Sequence, residues 1–245
     1  MYDRQIAMTV PRPGRPAADN QAAELAYWAT RGIGEFDHHL KYYRAALPLD
    51  RIDYRATRIL DVGSGAFSVF ERIAPATAAI TPYDTLAADY NRIAPGKTFP
   101  ISDVIPGTPF DLITLFNCLD HMDDPGELLA TLRPSLAPTG HVWVTCHVDR
   151  PWGEAEHPQD FRFWHLIALV QREFDLVSCN LIREGTYYPY LWHCVARTRT
   201  RPGAARLLAS AYFNLRCGLT YSRFHARRAG AAVNRRLRAT VSGHR

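Results

Sequence analysis

Residues 58–70 read RILDVGSGAFSVF: an apolar run, a Gly63-Ser64-Gly65 step, then Ala66-Phe67-Ser68. The run from Arg58 to Val62 predicts a short buried strand, and glycines directly behind it let backbone approach a ligand closely. A dinucleotide fingerprint, G-x-G-x-x-G, needs a third glycine for close helix–strand packing, and here that position is Ser68. Asp61, two residues before Gly63, would repel a pyrophosphate and attract an ammonium group. Asp84 follows Gly65 by 19 residues, at the end of the next strand-like segment, where an acid can bind two ribose hydroxyls.

Outward from this turn, strand and helix patterns alternate. Upstream, residues 20–47 read mainly as helix, broken at Gly32 and Gly34 and ended by Pro48. Downstream, 68–74 predicts a helical turn or two, 78–83 a strand, 85–94 a helix closed by Pro95, and 99–102 a short extended piece. Residues 111–119 (DLITLFNCL) predict a buried strand, 125–136 a helix with Pro134 near its end, and 141–148 (HVWVTCHV) another strand. A helix over 158–174 precedes two strands, 174–182 and 190–198, expected to pair antiparallel. Alternation of this kind implies βαβ units and a mainly parallel sheet, made mixed by the closing hairpin.

A ligand carrying a ribose and an ammonium but no phosphate satisfies Asp61, Ser68 and Asp84 together: S-adenosylmethionine. Over residues 58–198 the chain resembles the class I S-adenosylmethionine-dependent methyltransferases. RILDVGSG is similar to their first motif, AITPYDTLAADYNRI to the second, and residues 110–144 to the fourth-motif region of the branch that acts largely on small molecules. The resemblance implies an α/β, Rossmann-like doubly wound seven-stranded mixed sheet with the last strand antiparallel and helices on both faces. It also implies N-terminal lid helices (residues 1–50), a cofactor domain (51–200), and leaves 201–245 as a basic helical C-terminal extension. Carried over by position, Asp61, Gly63, Ser64 and Gly65 would hold the methionine part, Asp84 the ribose, and Leu86 and Asp103 the adenine side. Asn117 and Cys118 would lie near the transferring methyl. Phe67 departs from the pattern, since many members carry glycine there.

Methyl transfer is an in-line displacement at an already activated carbon, so the protein chiefly aligns the acceptor and excludes water. A base is needed only when the acceptor must lose a proton as it attacks. His121 after the 111–119 strand, His147 ending the next, and His157 in the loop EAEHPQDF are the candidates. Each also has a structural reading: a turn cap with Asp123 or Asp124, a satisfied strand-end residue, and an exposed loop residue. Asp120 reads as structural. Tyr27, Trp28, Tyr42 and Tyr43 on the N-terminal helices suit either an aromatic acceptor site or ordinary core, as do Trp152 and Trp164. His38 and His39 have no partner pair at metal-ligand spacing, so no metal site is expected.

Composition bounds the rest. A 47% hydrophobic and 22% charged chain of 245 residues builds a sizeable core, and no apolar run approaches the ~20 residues that span a bilayer. The N-terminal 20 residues lack a signal-peptide core and read as a lead-in. Five cysteines form no C-x-x-C pair, and four of them (Cys118, Cys146, Cys179 and Cys194) sit in apolar runs, so a reducing cytoplasm is expected. From Arg197 onward there are 12 arginines and no acid, which leaves 17 basic against 24 acidic residues before it. An acidic body with a basic tail suggests an anionic partner: a membrane surface, an acidic carrier or RNA. The expected function is methylation of a small-molecule acceptor. Alternatives are an RNA-modifying enzyme using the basic tail, or a binding protein that keeps the fold without catalysis. A nicotinamide dehydrogenase fits least, because of Ser68 and Asp61.

Overall fold

A computed structural model describes residues 17–30, 35–94, 96–122, 124–148, 161–183 and 190–242, with backbone alone beyond residue 226. The lead-in, the Gly32–Gly34 break, the loop carrying Trp152 and His157, and residues 184–189 lie outside these residues, as do the His38 and His39 side chains. Two helices, α1 (Ala17–Ala29) and α2 (Glu35–Ala46), precede β1 (Ile59–Val62), β2 (Ile80–Tyr83) and α3 (Ala87–Ile93). Then come β3 (Phe110–Phe116), α4 (Pro125–Leu132), β4 (Leu136–Val148), α5 (Phe163–Glu173), β5 (Phe174–Arg183), β6 (Tyr190–Thr198) and α6 (Gly203–Ser242).

The strands form one sheet in the order β2-β1-β3-β4-β6-β5. Parallel pairing joins β2, β1, β3 and β4, and β6 runs antiparallel between β4 and β5. All four residues of β1 are buried, as expected of a strand covered on both faces. The chain leaves β1 toward β2 on one side and returns as β3 on the other, so the carboxyl ends of β1 and β3 flank the point where strand order reverses. That point is where ligands of open α/β sheets bind.

The described residues form a six-stranded sheet, one strand fewer than the seven expected. Residues 99–102 contribute only an isolated bridge between Tyr83 and Ser102. Pro100 has no N–H for a ladder, and side chains satisfy the neighbouring backbone instead. Glu71 accepts from Thr98 N–H at 3.0 Å and Phe99 N–H at 2.7 Å, while Asn91 exchanges two bonds with Ile101. Pro134 likewise reshapes its surroundings. The helix expected to reach 136 stops at Leu132, a tight turn covers Arg133–Ser135, and β4 begins at Leu136 instead of His141.

The core lies on both sides of the sheet. On one, Leu128, Leu132, Leu166, Ile167, Val170, Phe213 and Cys217 from α4, α5 and α6 meet Leu60, Ile113, Val142 and Cys194. On the other, Leu40, Tyr43 and Leu47 of the α2 region meet Ile59, Leu112, Trp143 and Leu191. All five cysteines are buried and unbridged.

Candidate active site

At the end of β1 the chain turns through Gly63 (φ 66°) and Gly65 (φ 61°), a left-handed backbone that strains any other residue. Space forbids a side chain as well. A Cβ on Gly63 would sit 2.4 Å from the Cys118 Cβ, and one on Gly65 would sit 2.8 Å from the Trp28 ring. Gly63 and Ser64 donate N–H bonds to the Tyr83 carbonyl at 2.8 and 3.3 Å, tying the turn to the end of β2.

Asp84 completes that tie. Its carboxylate accepts from Gly65 N–H at 3.2 Å and from Leu86 N–H at 3.0 Å, one oxygen each. Leu86 lies half-buried against a small cluster with Ala66, Ala87 and Tyr90, joined by Leu25, Trp28 and Phe67. Phe67 meets Trp28 edge-on at 6.4 Å, and the Lys97 ammonium stands 5.7 Å over its ring. Lys97 also donates to the carbonyls of Ala66 and Tyr90, both at 3.0 Å, which fixes the outgoing side of the turn. Burial lowers the Lys97 pKa, partly offset by Glu71. Asp103 is exposed in the bend directly after Ser102.

Asp61 is buried beneath the turn, 2% exposed. One oxygen accepts from Ser68 Oγ at 2.6 Å and the other from Thr114 Oγ1 at 2.7 Å. Burial pushes its pKa up to about 6 against the pull of these two hydroxyls. Ser68 is therefore more than a substitute for glycine: its hydroxyl satisfies Asp61 and accepts from Phe70 N–H at 3.2 Å, starting the next turn. A serine seven residues after an aspartate at a strand end is the sequence signal for this pairing.

Asn117, just past β3, has φ 52°, the one positive value among described non-glycine residues. Such backbone outliers gather at functional sites. Its N–H donates to the Thr145 carbonyl at 2.9 Å, and its side chain donates to Tyr43 Oη at 2.9 Å and accepts from Thr145 Oγ1 at 3.4 Å. Three elements thus converge on one amide, and Tyr43 stacks on Phe116 with ring centres 4.9 Å apart. Cys118 is buried, and burial together with the charges of Asp120, Asp61 and Asp84 raises its thiol well above the usual range. It stays neutral and serves as packing under Gly63.

Of the three histidine candidates, His121 is half-buried at the end of a short turn, its N–H bonded to the Cys118 carbonyl. His147 is buried in β4, and His157 lies outside the described residues. The structure adds a residue that the sequence reading passed over, His193 of β6. Cross-strand register aligns Phe116, Thr145, His193 and Asn180 in one row, with His147 diagonal to His193 on the same face. His193 is 8% exposed, and its Nδ1 has no hydrogen-bond partner among the described residues. Burial, then the charge of Arg216, lowers its pKa to about 4. The imidazole is neutral and available to accept a hydrogen bond. Nothing in the local run YLWHCV distinguishes it from a core histidine; only the register brings it beside Thr145.

A recess of about 380 Å³ lined by Arg51, Asp53, Asp111 and His141 lies at the opposite, amino-terminal edge of the sheet and takes no part in this arrangement. Among the described residues no cluster of His, Cys, Asp or Glu could hold a metal ion. The features at the carboxyl edge suit S-adenosylmethionine: close-approach glycines, an acid at the end of β2 that braces them, and a buried carboxylate whose raised pKa a cationic ligand would relieve.

Solved structures of known proteins share this fold. The N-methyltransferase NodS from Bradyrhizobium japonicum WM9, solved with S-adenosylhomocysteine, is similar at 17% identity and TM-score 0.58, covering 74% of this chain and 100% of that one. The 1,6-didemethyltoxoflavin-N1-methyltransferase of Burkholderia thailandensis matches at 15% identity and TM-score 0.52, over 82% and 98% of the two chains. The [4+2]-cyclase SpnF matches at 16% identity and TM-score 0.56, over 81% and 100%. No curated protein matches the sequence. A sequence model described as a methyltransferase domain covers residues 18–182, well over half of the chain. The chain belongs to the methyltransferase-domain family, with the class I fold of the S-adenosylmethionine-dependent enzymes.

Proposed function

We propose that the protein transfers a methyl group from S-adenosylmethionine to a small-molecule acceptor. The observation that carries this reading is the left-handed Gly63–Gly65 turn, bonded to Asp84 where strand order reverses, opposite a polar face built from Asn117, Thr145, His147 and His193. When bound, the cofactor supplies a methyl already activated by its sulfonium. Gly63, Ser64 and Gly65 would lie along its methionine part, Asp84 at the ribose, and Leu86 with Asp103 toward the adenine. Asp61 acts from below the turn, its carboxylate countering the cofactor's positive charge. Asn117 shapes the reaction chamber, and Tyr43 closes it from α2.

Where the acceptor carries a proton, His147 is the first candidate to take it. His193 is neutral and diagonal to it on the same face, and it would orient the acceptor by accepting a hydrogen bond. His121 and His157 remain alternatives, which single alanine substitutions separate through turnover. Cys118 is unsuited to act as a base, because its thiol is held protonated.

Calorimetric titration with S-adenosylmethionine tests the reading. Wild type should bind, and Asp84→Ala should bind at least about tenfold more weakly, since it loses both the ribose acceptor and the brace on Gly65. Undiminished binding by Asp84→Ala would sink the assignment. The similarity to a [4+2]-cyclase favours a second reading, in which the fold serves chemistry other than methyl transfer. Mass spectrometry of acceptor mixtures incubated with methyl-labelled cofactor separates the two, because only the first yields labelled product.

A further inference from the structure

Helix α6 has two apolar faces, and the domain uses only one. Phe213 and Cys217 are buried, and Tyr221 and Phe224 pack on the ring of Tyr190 at 5.3 and 5.6 Å. The thiols of Cys217 and Cys179 on β5 meet at 3.6 Å. Those four positions, spaced four, four and three residues apart, fall on one side of a helix. Leu208, Tyr212, Leu215 and Leu219, spaced four, three and four, fall on the opposite side. They are 74%, 56%, 64% and 52% exposed, and Leu207 nearby is 74% exposed. Five of the seven large apolar side chains exposed among the described residues thus belong to this helix. A helix that only needed to dock on its domain would be polar along the outer face.

The charge around the stripe is one-signed. Arg216 and Arg223 flank it, and the segment from Arg197 carries 12 arginines without an acid, against a net −7 for the preceding residues.

We propose that the Leu208–Leu219 stripe of α6 docks the protein on an anionic lipid surface. Large apolar side chains on one face of a helix insert at the level of the acyl boundary, while flanking arginines meet lipid phosphates. No described helix is long and apolar enough to cross a membrane, so the contact is peripheral. The stripe is a ridge about 16 Å long at the ~1.5 Å rise of a helix, and a bilayer deforms around a ridge without needing a matching groove. Charge argues against a second copy on this face, because pairing two such helices would juxtapose arginine-rich segments with no acid to offset them. RNA would engage the arginines but leave the leucines without a partner, since single strands are held by stacked aromatics rather than aliphatic stripes. The acidic remainder of the chain would be repelled from an anionic surface, which orients the contact through α6.

Flotation of the full chain with vesicles tests this. Vesicles of phosphatidylcholine containing roughly one-third phosphatidylglycerol should carry the protein, and pure phosphatidylcholine should not. Replacing Leu208, Tyr212, Leu215 and Leu219 together by serine should lower the bound fraction at least about tenfold. The same variant should keep the wild-type melting curve and cofactor affinity, which excludes misfolding as the cause. Arg216→Gln with Arg223→Gln should weaken flotation and shift its salt dependence. Absence of flotation with the anionic vesicles, or equal flotation of the serine variant, overturns the proposal. So does a lipid-free dimer in light scattering that the serine variant abolishes, which assigns the stripe to a second copy. Retention on RNA by both forms without flotation moves the tail to nucleic acid and overturns it equally.

Discussion

Asp61 shows how much a single buried carboxylate can control. Two hydroxyls satisfy its oxygens, yet burial still raises its pKa from 3.8 to about 6. Ionising it in the ligand-free protein therefore costs on the order of 3 kcal/mol. The sign follows from linkage: between about pH 4 and pH 6 the folded state holds more protons than the unfolded chain, so this group's contribution to stability falls as pH rises through that window. Asp61→Asn should remove the fall, leaving the ligand-free variant more stable than wild type by about 1–3 kcal/mol near neutral pH and closer to it near pH 4. Thermal melts at both pH values check this, and a difference that does not change with pH would contradict it. Wild-type affinity for S-adenosylmethionine should rise with pH through about 6, because a cation favours the ionised carboxylate. The aspartate was legible in the sequence as a carboxylate at a strand end. Its partner Thr114, 53 residues away, was not, because only pairing of β1 with β3 sets Asp61 beside Thr114.

Among the elements, the segment 99–102 departs most from expectation. Its extended character was readable from the sequence, but its failure to become a ladder strand depends on Pro100 and on two side chains outside it. Asn91 on α3 holds Ile101 through both its amide atoms, and Glu71 holds Thr98 and Phe99. This segment supplies Ser102, whose carbonyl accepts from Asp84 N–H at 3.0 Å, so loosening it should reach the site. Asn91→Ala should destabilise the fold by about 1–3 kcal/mol, the cost of leaving two buried backbone groups unpaired, and weaken cofactor affinity as well. Denaturant unfolding and calorimetry check the two effects. Loss of stability with unchanged affinity would show that Asp84 does not depend on this edge. Helix α1 poses a related question. Trp28 sits over Gly65 and donates to Glu24 at 2.9 Å, so a ligand approaching Gly65 must touch or displace the indole.

For the whole molecule, the antiparallel placement of β6 between β4 and β5 matters most. It sets His193 in the row with Thr145, whose hydroxyl reaches Asn117 at the end of β3 and, through it, Tyr43 of α2. A residue near the far end of the domain thus joins a face built by β3, β4 and α2. If that face receives the acceptor, His193→Phe should leave cofactor affinity within about twofold of wild type while lowering kcat/KM for the acceptor by about tenfold or more. A parallel loss of cofactor affinity would instead mark His193 as part of the general packing.

Periodicity and spacing were enough to read the strand–glycine-turn–acid order at 58–84, the alternation of strands and helices, the antiparallel pairing of β5 with β6, and the basic tail. These are local: they follow from periodicity, turn chemistry and spacing within one or two elements. Tertiary structure decided the rest. It reduced the third extended segment to a bridge, turned Ser68 and Thr114 into the partners of Asp61, and joined Asn117 to Tyr43 across a separation of 74 residues. It also left the Leu208–Leu219 side of α6 facing solvent. Which side chains share a face across strands depends on register, and register is fixed by packing of the whole sheet rather than by any one strand.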